Sequence, residues 1–171
     1  MGQSKLIARV LYNLLRVIAI SNFCVLIYSL FCIVTDSSIN ISENEAMLYL
    51  LFPFSENIFL IVENNMFYII CSFTVPLLLY ALFFYFASNV FRVFTRAKLF
   101  TKENVKHLRL FYRSNLFIPF PVTLFASFFV EIPNAMWVLI LVHFILGILI
   151  YFLSEIFMQG IGLQNEQELY I

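Results

Sequence analysis

Four stretches of the chain contain no Asp, Glu, Lys or Arg: Val17–Thr35, Asn64–Phe91, Ser114–Val130 and Ile132–Ser154. A helix needs about 20 mostly apolar residues to cross a hydrocarbon layer of roughly 30 Å. Two stretches clear that length, the first nearly does, and the third is shorter, with Phe111 and Tyr112 extending it at headgroup level. Backbone polar groups in lipid must be bonded within their own segment, so the pattern predicts helices rather than strands. The expected spans are residues 14–35, 65–91, 112–131 and 134–156. The fold class that follows is an all-α integral membrane protein, a single domain of four transmembrane helices, with an outer segment at 36–63, an inner loop at 88–113 and a tail at 157–171.

Two connecting segments have patterns of their own. Met47–Phe54 and Ile58–Val62 are apolar runs too short to span, separated by Ser55, Glu56 and Asn57. They read either as a hairpin or as a short helix followed by an extended piece, and Pro53 argues against a central strand there. The expectation is an outer cap that dips into the membrane interface. In the inner loop, Thr101 has the character of an N-cap, with Glu103 in the first turn. Val105, Leu108 and Phe111 recur at helical spacing, while Lys102, Lys106, Arg109 and Arg113 take the opposite side. This predicts an amphipathic helix on the inner membrane surface, its apolar side in the interface or in a partner, its basic side drawn to anionic lipid.

Composition agrees. Of 171 residues, 63% are hydrophobic and 12% charged, with a net charge of zero, against about half apolar and a quarter charged in soluble domains. Disorder, a disulfide scaffold and direct nucleic-acid binding through bulk charge are excluded. The distribution of charge adds orientation. The ten basic residues are confined to Lys5, Arg9 and Arg16 before the first helix, and to Arg92, Arg96, Lys98, Lys102, Lys106, Arg109 and Arg113 between the second and third. The positive-inside rule places both groups, and with four spans both termini, in the cytoplasm of a cell membrane. Segment 36–63 then lies outside, carrying Asp36, Glu43, Glu45, Glu56 and Glu63 without a cation. Asn40-Ile41-Ser42 within it fits a glycosylation sequon, relevant only in a eukaryotic secretory host. The first apolar run is too long for a cleaved signal sequence and no small-x-small site follows it. Leu6 stands where a myristoylation motif requires Ser or Thr.

Leu99-Phe100-Thr101-Lys102-Glu103-Asn104-Val105-Lys106-His107-Leu108-Arg109 resembles the inner-loop signature of a family of small bacterial membrane proteins catalogued as domain of unknown function 2975, also called YoaS-like. The end of the chain is similar too, in Ile156-Phe157, Gly160, Leu163, Glu166, Glu168, Leu169 and Ile171. It departs in reading Glu-Leu-Tyr-Ile where the family has Asp-Leu-Thr-Ile. The resemblance implies a four-helix plan over nearly the whole chain and no known activity. It also implies a cytoplasmic regulatory partner, since its members are often encoded beside a small helix-turn-helix regulator.

Candidates for chemistry are few. No nucleotide loop, zinc signature or nucleophile elbow is present, so neither an enzyme nor a cofactor or metal site is expected. Cys24, Cys32 and Cys71 fall in spans and behave as small apolar residues. Residues 24 and 32 stand about 12 Å apart along a helix, too far for a disulfide. His143 sits mid-span, where an ionisable group is a functional candidate; its structural alternative is a neutral imidazole bonded to Asn22, Ser72 or Thr74. His107 lies at a different depth, which argues against a shared haem. Pro76, Pro119 and Pro121 kink the second and third helices. Glu131-Ile132-Pro133-Asn134 reads as an outer turn, with Trp137 as an interface anchor. Glu166 and Glu168 are placed to lie against the basic loop. Two functions follow. The first is a non-enzymatic regulator or scaffold presenting Lys102, Lys106, Arg109 and Arg113 to lipid and a cytoplasmic partner. The second is a small transporter or ligand-binding bundle built on His143 and the kinked helices.

Overall fold

Four helical rods and a small sheet make up this computed structural model, which describes residues 2–169. Helix α1 covers Gln3–Thr35. Three strands follow: β1 (Ile39–Ile41), β2 (Met47–Leu51) and β3 (Ile58–Glu63). The second rod, Met66–Val93, joins α2 (Met66–Tyr68), a π-helical stretch at Ile69–Thr74, and α3 (Val75–Val93). The third is α4 (Lys102–Phe117) followed by α5 (Pro119–Ala126), and the fourth is α6 (Asn134–Leu169). The first, second and fourth rods are long and apolar enough to cross a membrane. Their large side chains lie bare, Val34 at 80% and Val138 at 61% exposure. Lipid tails are the solvent that such surfaces suit.

The segment 36–63 corrects the all-α expectation. It is a three-stranded antiparallel sheet in the order β1-β2-β3. The two short apolar runs pair with each other, Leu48 opposite Val62 and Leu50 opposite Leu60, and alternate residues put Leu48, Leu50 and Val62 on one face. That face packs on Tyr28 and Cys32 of α1 and on Ile69 and Phe73 of the π-helical stretch. The Tyr28 hydroxyl donates to the Leu51 carbonyl at 2.6 Å. Pro53 is compatible with this because β2, the central strand, ends two residues before it.

Helix boundaries also move. Helix α1 begins at Gln3 rather than at 14, since its Leu, Ala and Arg residues propagate a helix through the basic segment. The span expected at 112–131 is two helices. Pro119 has no N–H to return to the Asn115 carbonyl, and the chain breaks at Ile118 before restarting. After Ala126 it turns through Ser127–Phe129. The tail expected from 157 onward is instead the continuation of α6 to Leu169; Glu166 forms no salt bridge among the described residues, the side chains of Glu168 and Leu169 are outside the description, and so is Ile171.

Packing is concentrated at the end holding the α3–α4 loop. Helix α1 lies along α3, α3 along α4, and α4 along α6. Val105, Leu108 and Phe111 of α4 are sealed, at 2%, 0% and 3% exposure, against Ala87, Val90 and Val93 of α3 and Phe157 of α6. The apolar face of α4 is therefore occupied by the protein's own core, not by a membrane surface or a partner. The loop before it is held by Asn104, whose Nδ2 donates to the carbonyls of Lys98 (3.1 Å) and Leu99 (2.7 Å). Arg16 of α1 lies 4.2 Å above the Tyr85 ring centroid, a cation–π contact at the same end.

Gly160 shows how tightly this end closes. A Cβ there would stand 2.5–2.8 Å from the Phe100 ring, whereas one at Gly162 meets nothing within 4 Å. Gly160→Ala is expected to destabilise by about 1–3 kcal/mol, the cost of overpacking. Gly162→Ala should be neutral or stabilise by about 0.5–1 kcal/mol, from the lower helix propensity of glycine. Unfolding midpoints of the two variants in mixed micelles check both, and equal effects would contradict this packing.

Candidate functional site

The other half of the bundle does not close. Helix α5 is short and touches α6 only lightly, and a cavity of about 550 Å³ opens between the second, third and fourth rods. Two of its three walls depart from regular α-helix, while α6 is continuous. On the second rod, Cys71 and Ser72 belong to the π-helical stretch and Pro76 follows it. On the third, Asn115 and Pro119 flank the α4–α5 break. Such breaks free backbone groups and bulge the rod, and π-turns gather at functional sites.

His143 enters the cavity from α6, nine residues beyond its start, about 14 Å along the axis. Its Nδ1 lies 2.7 Å from Asn115 Oδ1. Asn115 Nδ2 donates to the Phe111 carbonyl at 2.8 Å, so Oδ1 is the atom that accepts, and the proton of a neutral imidazole sits on Nδ1. That leaves Nε2 as an acceptor, without a protein partner among the described residues. Phe83 meets the imidazole edge-on at 4.9 Å between centroids, and Tyr80 lies at 6.2 Å. None of the three expected partners holds His143. Asn22 donates to its own helix at the Ile18 carbonyl, and Thr74 Oγ1 is buried without a hydrogen-bond partner among the described residues. The signal for Asn115 was present in the pattern: it continues the series Val105, Leu108, Phe111 by one more helical turn.

Glu63, at the end of β3, and Glu131, in the turn before α6, also line the cavity. Phe67 stacks on Phe129 at 5.1 Å, tying the start of α2 to that same turn. Both carboxylates are exposed, neither forms a salt bridge among the described residues, and no Lys or Arg lines the cavity.

Lys102, Lys106, Arg109 and Arg113 lie on the exposed side of α4, none in a salt bridge among the described residues. They do not join His143; the two features share only α4, whose last turn carries Asn115. Thr101 caps that helix as expected, its Oγ1 accepting from the Asn104 N–H at 3.2 Å. Glu103 turns back to Arg96, with Nη1–Oε2 at 2.8 Å. The hydrogen bond and charge of Arg96 hold the Glu103 carboxyl below its ordinary value, and the same bond raises Arg96. His107 is pushed down from 6.5, first by burial and then by Arg96, with Arg92 and Lys106 adding to it and Glu103 opposing.

No protein-family model, curated protein or solved structure matches this chain, so the site is read from its own geometry.

Two measurements follow. In a double-mutant cycle, Asn115→Leu and His143→Leu should each destabilise, and the pair by less than the sum. The coupling should be near the membrane-protein norm, about 0.6 kcal/mol and at most about 1.7; strict additivity would contradict the bond. For His107, the folded state binds fewer protons than the unfolded chain just below pH 6.5. Stability is therefore full above 6.5 and falls as the pH drops through that value. Thermal midpoints measured downward from pH 7 should fall in the native chain and flatten in His107→Gln.

Proposed function

We propose that this chain is a non-enzymatic, multi-pass membrane protein that binds a small ligand in the cavity around His143, as a transporter or ligand sensor. The observation that carries the reading is convergence. The π-helical stretch with Pro76 just after it, the break before Pro119, and the His143–Asn115 pair all fall on one cavity. Its volume lies within the range of ligand pockets, about 300–1,000 Å³, and its lining is apolar with a few polar groups, as such pockets are. A helix bundle needing only stability would close this space with side chains.

The topology proposed with it has four crossings and cytoplasmic termini in a cell membrane. The α4–α5 rod supplies the crossing that is shorter and less regular. Support comes from the confinement of the ten basic residues to the α3–α4 loop end and the start of α1, with acidic residues alone at the sheet end. Membership of the YoaS-like family is part of the same proposal, supported by the Phe100-Thr101 and Asn104-Val105 residues that seat α4.

The regulatory reading keeps one specific observation: Lys102, Lys106, Arg109 and Arg113 are exposed and without salt bridges among the described residues. They suit anionic lipid or an acidic surface on a cytoplasmic protein such as a small regulator. In this reading α4 joins the two sites, because its last turn holds His143 and its opposite side faces the partner.

Native Cys71 tests the ligand reading. It lines the cavity, Cys32 is buried, and Cys24 is the remaining thiol. In a Cys24→Ser chain, a membrane-impermeant thiol reagent applied to intact cells should label Cys71. Labelling only from the cytoplasmic side would reverse the topology, and no labelling from either side would remove the water-open cavity.

A further inference from the structure

We infer that the ligand of this cavity is an organic cation, a substituted ammonium or related onium ion with apolar groups, arriving from the sheet end. The inference rests on the ligand-binding reading above and names the chemical class. Fixed charge is the first argument. The ionised groups lining the cavity are Glu63 and Glu131, with no Lys or Arg among its residues. A carboxylate at a half-apolar site gains by meeting a counter-charge, and none comes from the described residues.

Hydrogen-bond polarity is the second argument. The Nδ1 proton of His143 is held by Asn115, and the Asn115 amide is held by the Phe111 carbonyl. The Ser114 hydroxyl also donates to that carbonyl, at 2.8 Å. What remains at the level of His143 includes the Nε2 lone pair and the Ser114 oxygen as acceptors, beside the second Asn115 Nδ2–H and the Tyr80 hydroxyl. An ammonium N–H finds partners in those two acceptors.

The walls are the third. Tyr80 and Phe83 present rings beside His143, and aromatic faces attract cations most when water is excluded. The apolar lining takes the cation's substituents. The sheet segment, whose last residue Glu63 lines the cavity, also carries Asp36, Glu43, Glu45 and Glu56 with no basic residue, a field that concentrates cations and repels anions.

Tetraphenylphosphonium and tetraphenylborate have nearly the same shape and opposite charge. The Cys24→Ser chain is placed in nanodiscs of zwitterionic lipid, and Cys71 is labelled with a neutral thiol reagent with and without each ion. Tetraphenylphosphonium should slow labelling roughly tenfold or more, and tetraphenylborate should leave it unchanged. In a Glu63→Gln, Glu131→Gln chain, the ratio of unprotected to phosphonium-protected rate should collapse toward one. Equal protection by both ions, protection by neither, or protection that survives both Gln substitutions would overturn the cation. In those cases Cys71 still reacts and the ligand reading stands. Failure of the neutral reagent to label Cys71 at all would overturn that reading and this inference together. The comparison of ions uses the native glutamates, so it decides the charge preference even if the double variant does not assemble.

Discussion

The apolar seam of α4 is the contact on which the rest depends. Val105, Leu108 and Phe111 are closed off between α3 and α6, and burying three such side chains is worth about 1.5–3 kcal/mol each where water is the alternative. In the proposed topology that condition holds at the loop end, on the cytoplasmic side. The seam sets the height of α4 against its neighbours. Gly147 and Gly160 let it approach: a Cβ at Gly147 would stand 2.8 Å from Leu116, and one at Gly160 would meet Phe100. With α4 fixed, Thr101 caps its start, Asn104 gathers the preceding loop, and Asn115 arrives one turn past Phe111 facing His143. Basic face and cavity are thus two ends of one rigid element.

Half of the bundle is consequently solid and half is open. Where the rods are regular helices with small residues facing each other, they pack. Where Pro119 removes a helical donor and the second rod widens into a π-turn, the walls separate. The sheet covers α1 and the π-turn; α5 and the start of α6 pack elsewhere, and the cavity lies on their side.

Much of this architecture is legible in the residues, for definable reasons. Charge-free stretches locate the three long apolar rods because lipid tolerates no other pattern, and Thr101 marks the start of α4 because few residues satisfy a free N–H there. The sheet is not legible in the same way. Apolar runs of five to eight residues suit a strand, a short helix or an interfacial loop equally, and what decides is the surface of Tyr28, Cys32 and Phe73 waiting beneath. The extent of α6 eluded the sequence for a related reason: two glycines look like a stop, and only the approach of Phe100 explains Gly160 within a helix. His143 could be picked out alone, but its cavity depends on how two irregular rods sit against α6, a property of no single segment.

Helix α6 has 36 residues, and at 1.5 Å per residue it is about 54 Å long. A whole bilayer with its headgroups is about 40–45 Å thick. In the proposed topology an upright rod outreaches the bilayer by about 10 Å, roughly two turns, which extend beyond the headgroups as a short stalk. Phe157 and Ile161 anchor the root of that stalk in the α4 core, while Leu163 beyond them is 62% exposed. In that topology the end of α6 is a short helical extension of the rod that carries His143, packed at its root and exposed beyond it.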